Sequence, residues 1–136
     1  SRLARTAAAQ PVWFLHHGEV DQARATGWTE AGATLIPVPR TATGVLDPTA
    51  MLHALGERGI NSVLCEGGGQ LAAALLRAGL VDSIVQFMAG MALGAPAIPA
   101  IADLGIERLS DVTRFNLAEV TRIGADTMSV WVRPDL

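Results

Sequence analysis

Three consecutive glycines, Gly67 to Gly69, separate an apolar run from an Ala- and Leu-rich segment in "NSVLCEGGGQLAAALLRAGLVD", residues 61–82, and Glu66 stands directly before them. Ile60, Val63, Leu64 and Cys65 are too apolar for a strand with one exposed face, so "INSVLC", residues 60–65, predicts a buried strand. "QLAAALLRAG" predicts a helix ending at Gly79, because Ala and Leu are strong helix formers and glycine offers a left-handed stop. A strand that turns into a helix through bare glycines requires an α/β architecture. It also leaves the first helix amides unpaired, with no side chain to block an anion. The same glycines would equally permit a tight turn and close packing. Neither the six-residue dinucleotide fingerprint nor the Lys-containing phosphate loop is present, so both readings stand. Glu66 either caps the helix or faces a polar ligand, accepting hydrogen bonds from hydroxyl or amino groups.

The flanking sequence supplies the remaining elements. "PVWFLHH", 11–17, predicts a buried strand, and "ATLIPVP", 33–39, a second one at an edge, since Pro37 and Pro39 cannot both lie inside a central strand. In "LDPTAMLHALGERGI" Asp47 is an N-cap, Pro48 fits the first helical position and Gly59 is a left-handed stop, with Met51, Leu52 and Leu55 on one stripe. "SIVQFMA" predicts a strand and "LGIERLSDV" an irregular connection. "RFNLAEVTRIGADTMSVWVRP" alternates around a turn at Gly124 to Asp126 and predicts an antiparallel hairpin. This order implies a mixed sheet with helices packed on it.

Composition narrows the function classes. A length of 136 residues, with 50% hydrophobic and 17% charged, fits one globular domain. The formal net charge of −3 argues against nucleic acid and anionic membranes as partners. No apolar stretch reaches the roughly 20 residues of a membrane span. One cysteine excludes an intramolecular disulfide framework, fits a cytoplasmic setting, and leaves no cysteine cluster for a metal. The start at "SRLARTAAAQ" reads as that of a piece of a longer chain.

"GINSVLCEGGGQLAAALLRAGLVDSIVQFMAGMALG", 59–94, resembles the C-terminal reductase domain of the bifunctional riboflavin-biosynthesis deaminase/reductase, with looser similarity on both sides across the chain. The shared pattern is a strand ending in Glu-Gly-Gly, a helix, Leu-Leu-x-x-Gly-Leu-Val-Asp, and a strand leading to a Leu-Gly pair. The resemblance implies a dihydrofolate-reductase-like α/β fold: a three-layer mixed sheet with flanking helices, ending in an antiparallel hairpin. It makes residues 1–136 a single, partial reductase domain whose first strand or strands lie upstream of Ser1. It implies NADPH as cofactor and a small-molecule substrate, 5-amino-6-(5-phosphoribosylamino)uracil, whose ribosyl group is reduced to ribityl. Glu66 matches the family's substrate-contacting glutamate, and Gly68, Gly69, Gln70, Leu71, Ala72, Ala73 and Ala74 match its NADPH-binding segment. A homodimer, built on the strand from Ser83 to Ala89 and the final hairpin, and a deaminase domain N-terminal in the parent chain are the expected partners. The chain departs from the family at "AGMALG", 89–94, which lacks a basic residue common in relatives, and at Cys65, where an aliphatic residue is usual.

Other residues carry two readings each. His16 and His17 end the first strand and offer donors to the 2′-phosphate of NADPH, or are simply an exposed strand end. Arg40 reaches the same phosphate or is a solvated loop residue. Cys65 reads as an inert buried thiol, His53 as a surface residue, Asp82 as a turn residue, and Trp13, Trp28 and Trp131 as packing residues. Two rival functions remain: a related NADPH-dependent reductase of another pterin-like or small carbonyl substrate, and a non-catalytic nucleotide-binding or dimer-forming module.

Overall fold

The computed structural model describes residues 2–94 and 97–134 and consists of two compact units, Ser1–Val63 and Leu64–Leu136. In the first unit, helix α1 (Arg2–Thr6) precedes strand β1 (Trp13–His16), helix α2 (Gln22–Glu30), strand β2 (Thr34–Pro37) and helix α3 (Pro48–Gly56). β1 and β2 pair in parallel, Trp13 opposite Thr34 through His16 opposite Pro37. Parallel neighbours need a crossover, and α2 supplies it. Asp21 starts α2 by accepting the Arg24 amide at 2.8 Å, and Trp28 on α2 meets Phe14 on β1 with ring centroids 4.6 Å apart. Ile36, 1% exposed, is the largest fully buried side chain, with Val38, Ala33 and Ala7 also buried.

α3 follows the predicted punctuation closely. The Asp47 carboxylate accepts the Thr49 and Ala50 amides at 2.8 and 3.3 Å, Pro48 opens the helix, and Gly59 takes φ +85° beyond its end. Met51, Leu52 and Leu55 are half-buried and His53 is exposed.

The second unit contains helix α4 (Gly69–Arg77), strand β3 (Ser83–Met88), a single 3-10 turn (Leu109–Asp111), and strands β4 (Asn116–Ile123) and β5 (Asp126–Val132). The sheet order is β3-β5-β4, antiparallel throughout. β4 and β5 form the expected hairpin over a two-residue turn, Gly124 and Ala125, closing on the Ile123–Asp126 pair. Gly124 sits at φ +63° while Ala125 keeps a negative φ, the pattern of a II′ turn. A bulge between Leu117 and Glu119 shifts the register. Trp131 is half-buried, its Nε1 donating to Ser129 Oγ at 3.0 Å.

One expected element is absent. Residues 60–68 carry no regular structure, and the boundary between the units falls inside the run read as a strand. A strand is defined by its ladder, and among the described residues none pairs with 60–65. Leu64 is 79% exposed, and Ile60 and Val63 are exposed as well. Cys65 is an exposed free thiol rather than the buried one expected, because the strand meant to bury it is not formed. The strands consequently fall into two separate ladders within a mixed α/β chain.

Candidate functional site

The Glu66–Gly69 turn leads directly into α4. Gly68 is the N-cap, at φ −67° and ψ 170°, and makes no side-chain cap bond. Its carbonyl accepts the Leu71 and Ala72 amides at 3.0 and 3.2 Å. The amides of Gly69 and Gln70 have no acceptor among the described residues. Glu66 is exposed and does not cap the helix; its carboxylate has no hydrogen-bond or ionic partner among the described residues. The capping reading of this acid is therefore not met, and the carboxylate faces solvent.

The three glycines do different work. A Cβ on Gly69 would stand 2.8 Å from the Pro99 carbonyl oxygen and 3.1 Å from both the Ala100 oxygen and the Ala102 nitrogen. Backbone cannot swing aside as a side chain can, so Gly69 is required by packing. The Ala102 amide also donates to the Gly69 carbonyl at 3.0 Å. A Cβ on Gly67 would meet only the Leu71 side chain, and one on Gly68 would meet nothing within 4 Å. Close packing therefore accounts for Gly69, while the space beside Gly68 is open.

Along α4, Gln70 is exposed, Leu71, Ala72 and Ala74 are half-buried, and Ala73 is 0% exposed. Helical geometry puts Ala73 on the stripe of Gly69 and turns it away from solvent. An approaching ligand would meet Gly68, Gln70 and their exposed neighbours. The C-terminus of α4 closes differently: Gly79 takes φ +67° and the Leu80 amide returns to the Leu75 carbonyl at 3.0 Å.

A cleft of about 470 Å³ lies at the other end of α4, lined by Leu76, Arg77, Ile84, Leu104, Glu107 and Phe115 among others. It includes neither Glu66 nor any residue of 68–74. Size does not single it out, since a neighbouring cleft of about 480 Å³, lined by Leu109, Arg114 and Asn116 among others, matches it. The unpaired amides and the free carboxylate that suit an anionic, hydroxyl-bearing ligand are at the first turn instead.

His16 belongs to the first unit. Its Nδ1 lies 2.7 Å from the His17 carbonyl oxygen, which can only accept, so Nδ1 carries a proton and Nε2 is left for another partner. His17 Nδ1 accepts the Glu19 amide at 3.3 Å. Arg40 is exposed, in an isolated antiparallel bridge with Leu46, and the Asp82 carbonyl accepts the Arg133 amide at 2.9 Å. Among the described residues no group of three or more His, Cys, Asp or Glu side chains could hold a metal, and no helix is long and apolar enough to cross a membrane.

Sequence reasoning did not foresee the segment 99–103 meeting α4. Arg77 Nη1 donates to the Asp103 carbonyl at 2.6 Å, and Asp103 Oδ1 accepts the Gly105 amide at 2.8 Å. The Asp-x-Gly spacing announces that turn, but nothing in the sequence announces its contact with the helix.

The riboflavin biosynthesis protein RibD of Escherichia coli strain K12 is 37% identical over 99 residues, 73% of this chain and 26% of its own. The protein of the same name from Bacillus amyloliquefaciens is 28% identical over 122 residues, 89% of this chain and 32% of its own. The chain thus spans about a quarter to a third of the length of these relatives. Among solved structures, Acinetobacter baumannii RibD superposes with a TM-score of 0.67 at 24% identity, over 87% of this chain and 30% of that one. A pyrimidine reductase-like protein from Corynebacterium diphtheriae gives 0.61 at 17% identity, over 91% and 50%. These neighbours share the dihydrofolate-reductase-like fold expected from the sequence. The RibD C-terminal domain matches residues 3–129, nearly the whole chain, and the chain belongs to that family.

Proposed function

We propose that this chain is the reductase domain of a riboflavin-biosynthesis enzyme, reducing the ribosyl group of 5-amino-6-(5-phosphoribosylamino)uracil to the ribityl form with NADPH. The observation that carries the reading is the free Glu66 carboxylate beside the open Gly68 turn, in a chain matched by this family from residue 3 to 129. NADPH, when bound, supplies the hydride. The amides of Gly69 and Gln70 are the donors for its pyrophosphate, with the positive end of the α4 dipole behind them. Gly68 admits the phosphates to van der Waals distance, and Gln70, Leu71, Ala72 and Ala74 provide the flank beyond. Ala73 contributes by packing beneath that flank.

Glu66 accepts hydrogen bonds from the sugar hydroxyls and fixes the chain carbon to be reduced against the nicotinamide. Fixing two reactants in a near-attack geometry is worth roughly 7 to 11 kcal/mol, more than one acid group ordinarily supplies. In the parent protein a deaminase domain precedes this one, and the setting is cytoplasmic. A second copy of the chain pairs through the β3-β5-β4 sheet, where Val85 and Phe87, the latter 67% exposed, lie on one face and Leu117 and Val120 on the other.

The test is Glu66→Gln in the parent protein. The amide keeps the shape of the acid but loses the charge-assisted hydrogen bonds, so kcat/KM for the sugar substrate should fall about 10- to 100-fold. The Kd for NADPH should stay within about twofold on the same argument. Equal losses for both ligands, or none for either, would defeat the assignment.

A further inference from the structure

We infer that residues 99–103 form a strap that fixes one wall of the nucleotide site, and that Arg77 is the positioning residue that holds the strap in place. The inference rests on the reading of the Gly68–Gln70 turn as the site for NADPH.

Three contacts define the strap, all within the second unit. Its Ala102 amide donates to the Gly69 carbonyl at 3.0 Å. The Pro99 and Ala100 carbonyl oxygens occupy the space that a side chain on Gly69 would need, at 2.8 and 3.1 Å. The Asp103 carbonyl, next in the chain, accepts Arg77 Nη1 at 2.6 Å. Gly69, Ala73 and Arg77 are four residues apart in turn and share one stripe of α4. Gly69 and Arg77 are separated by about 12 Å along the helix axis. The Arg77 side chain leans back toward the N-terminus, as helical side chains do, and spans the gap. Ala73, between the two anchors, is fully buried. The stripe therefore reads as a bare backbone, a small side chain and a long donor, matched to a backbone segment laid along it. Beyond Asp103 the chain turns sharply away: Asp103 Oδ1 takes the Gly105 amide at 2.8 Å, and Gly105 adopts φ +66°.

The chemistry of this wall is one-sided. The Pro99 and Ala100 carbonyls accept no hydrogen bond among the described residues and crowd the Gly69 flank of the first turn. Carbonyl oxygens repel phosphate, so an anion is steered to the Gly68 flank, where nothing lies within 4 Å of the space for a side chain. Releasing the strap would open the wrong flank and loosen the amides that the Gly69 carbonyl contact now orders.

The experiment compares the wild-type chain with Arg77→Ala and Arg77→Lys, measuring NADPH affinity by tryptophan fluorescence and amide hydrogen exchange at Ala102. R77A should speed exchange at Ala102 and weaken NADPH binding about five- to tenfold, the loss expected for one hydrogen bond from a charged donor near the surface. R77K, which can still donate to the Asp103 carbonyl, should recover most of both effects. In the parent protein kcat at saturating NADPH should be unchanged while KM for NADPH rises. Faster exchange at Ala102 with unaltered affinity overturns the inference, as does an R77K that behaves like R77A. A wild-type chain that does not bind NADPH at all overturns the site reading itself, which the wild-type titration alone reveals. Should R77A lose its fold, Arg77→Met keeps the apolar stem and removes only the donor to the Asp103 carbonyl, and the same two measurements decide.

Discussion

Arg133 ties the end of β5 to the end of α4: its Nη1 donates to the Gly79 carbonyl at 2.7 Å, while its backbone amide donates to Asp82 at 2.9 Å. A cation is thereby placed on a carbonyl just past the helix C-terminus, where the helix dipole favours it. Arg133→Ala should lower the urea midpoint by the equivalent of about 1 kcal/mol with an unchanged slope, and Arg133→Lys by less. A wild-type midpoint in R133A would mean that the side-chain bond contributes nothing in solution.

Gly68 and Gly69 should respond oppositely to the same substitution. Gly69→Ala forces a methyl into backbone at 2.8 Å and should destabilise the chain by about 1 to 3 kcal/mol, as overpacking does. Gly68→Ala meets no neighbour and already has a backbone conformation open to alanine, so stability should change by less than about 0.5 kcal/mol. Its effect should appear in NADPH affinity, which the added methyl weakens by blocking the phosphates. Thermal melts with parallel titrations separate the pair; a Gly68→Ala that binds NADPH as the wild type does would count against the site.

Cys65 should react with a thiol reagent in the native state, one equivalent per chain and without denaturant, because it is exposed. Reaction only after unfolding would mean that the run 60–65 is covered in solution.

Much of this architecture was legible before any coordinates. Asp47, Pro48 and Gly59 bracket α3 because capping and positive φ are local demands that few residue types meet. The terminal hairpin was legible for the same reason, its turn needing glycine at position 124. α2 escaped notice although Asp21 marks its start, because Gln22–Glu30 has only Trp28 as a large apolar residue and shows no stripe. The run 60–65 misled in the other direction: its composition suits a strand, but a strand also needs a neighbour, and composition cannot supply one. At the candidate site the sequence identified the carboxylate and the glycines. It could not divide them into one glycine that packs and one that stays open, nor foresee that Arg77 meets a carbonyl 26 residues away, since both depend on a distant segment.

The sheet order β3-β5-β4 has a consequence for synthesis. β5 is the last of the three strands to leave the ribosome, yet it is the one on which both others depend for their pairing. β3 must therefore wait with its ladder to β5 unmade while β4 and the hairpin turn are translated. A nascent chain stalled after Ile123 would carry two orphan strands that do not neighbour each other in the finished sheet. That interval is when chaperone capture of this chain should peak.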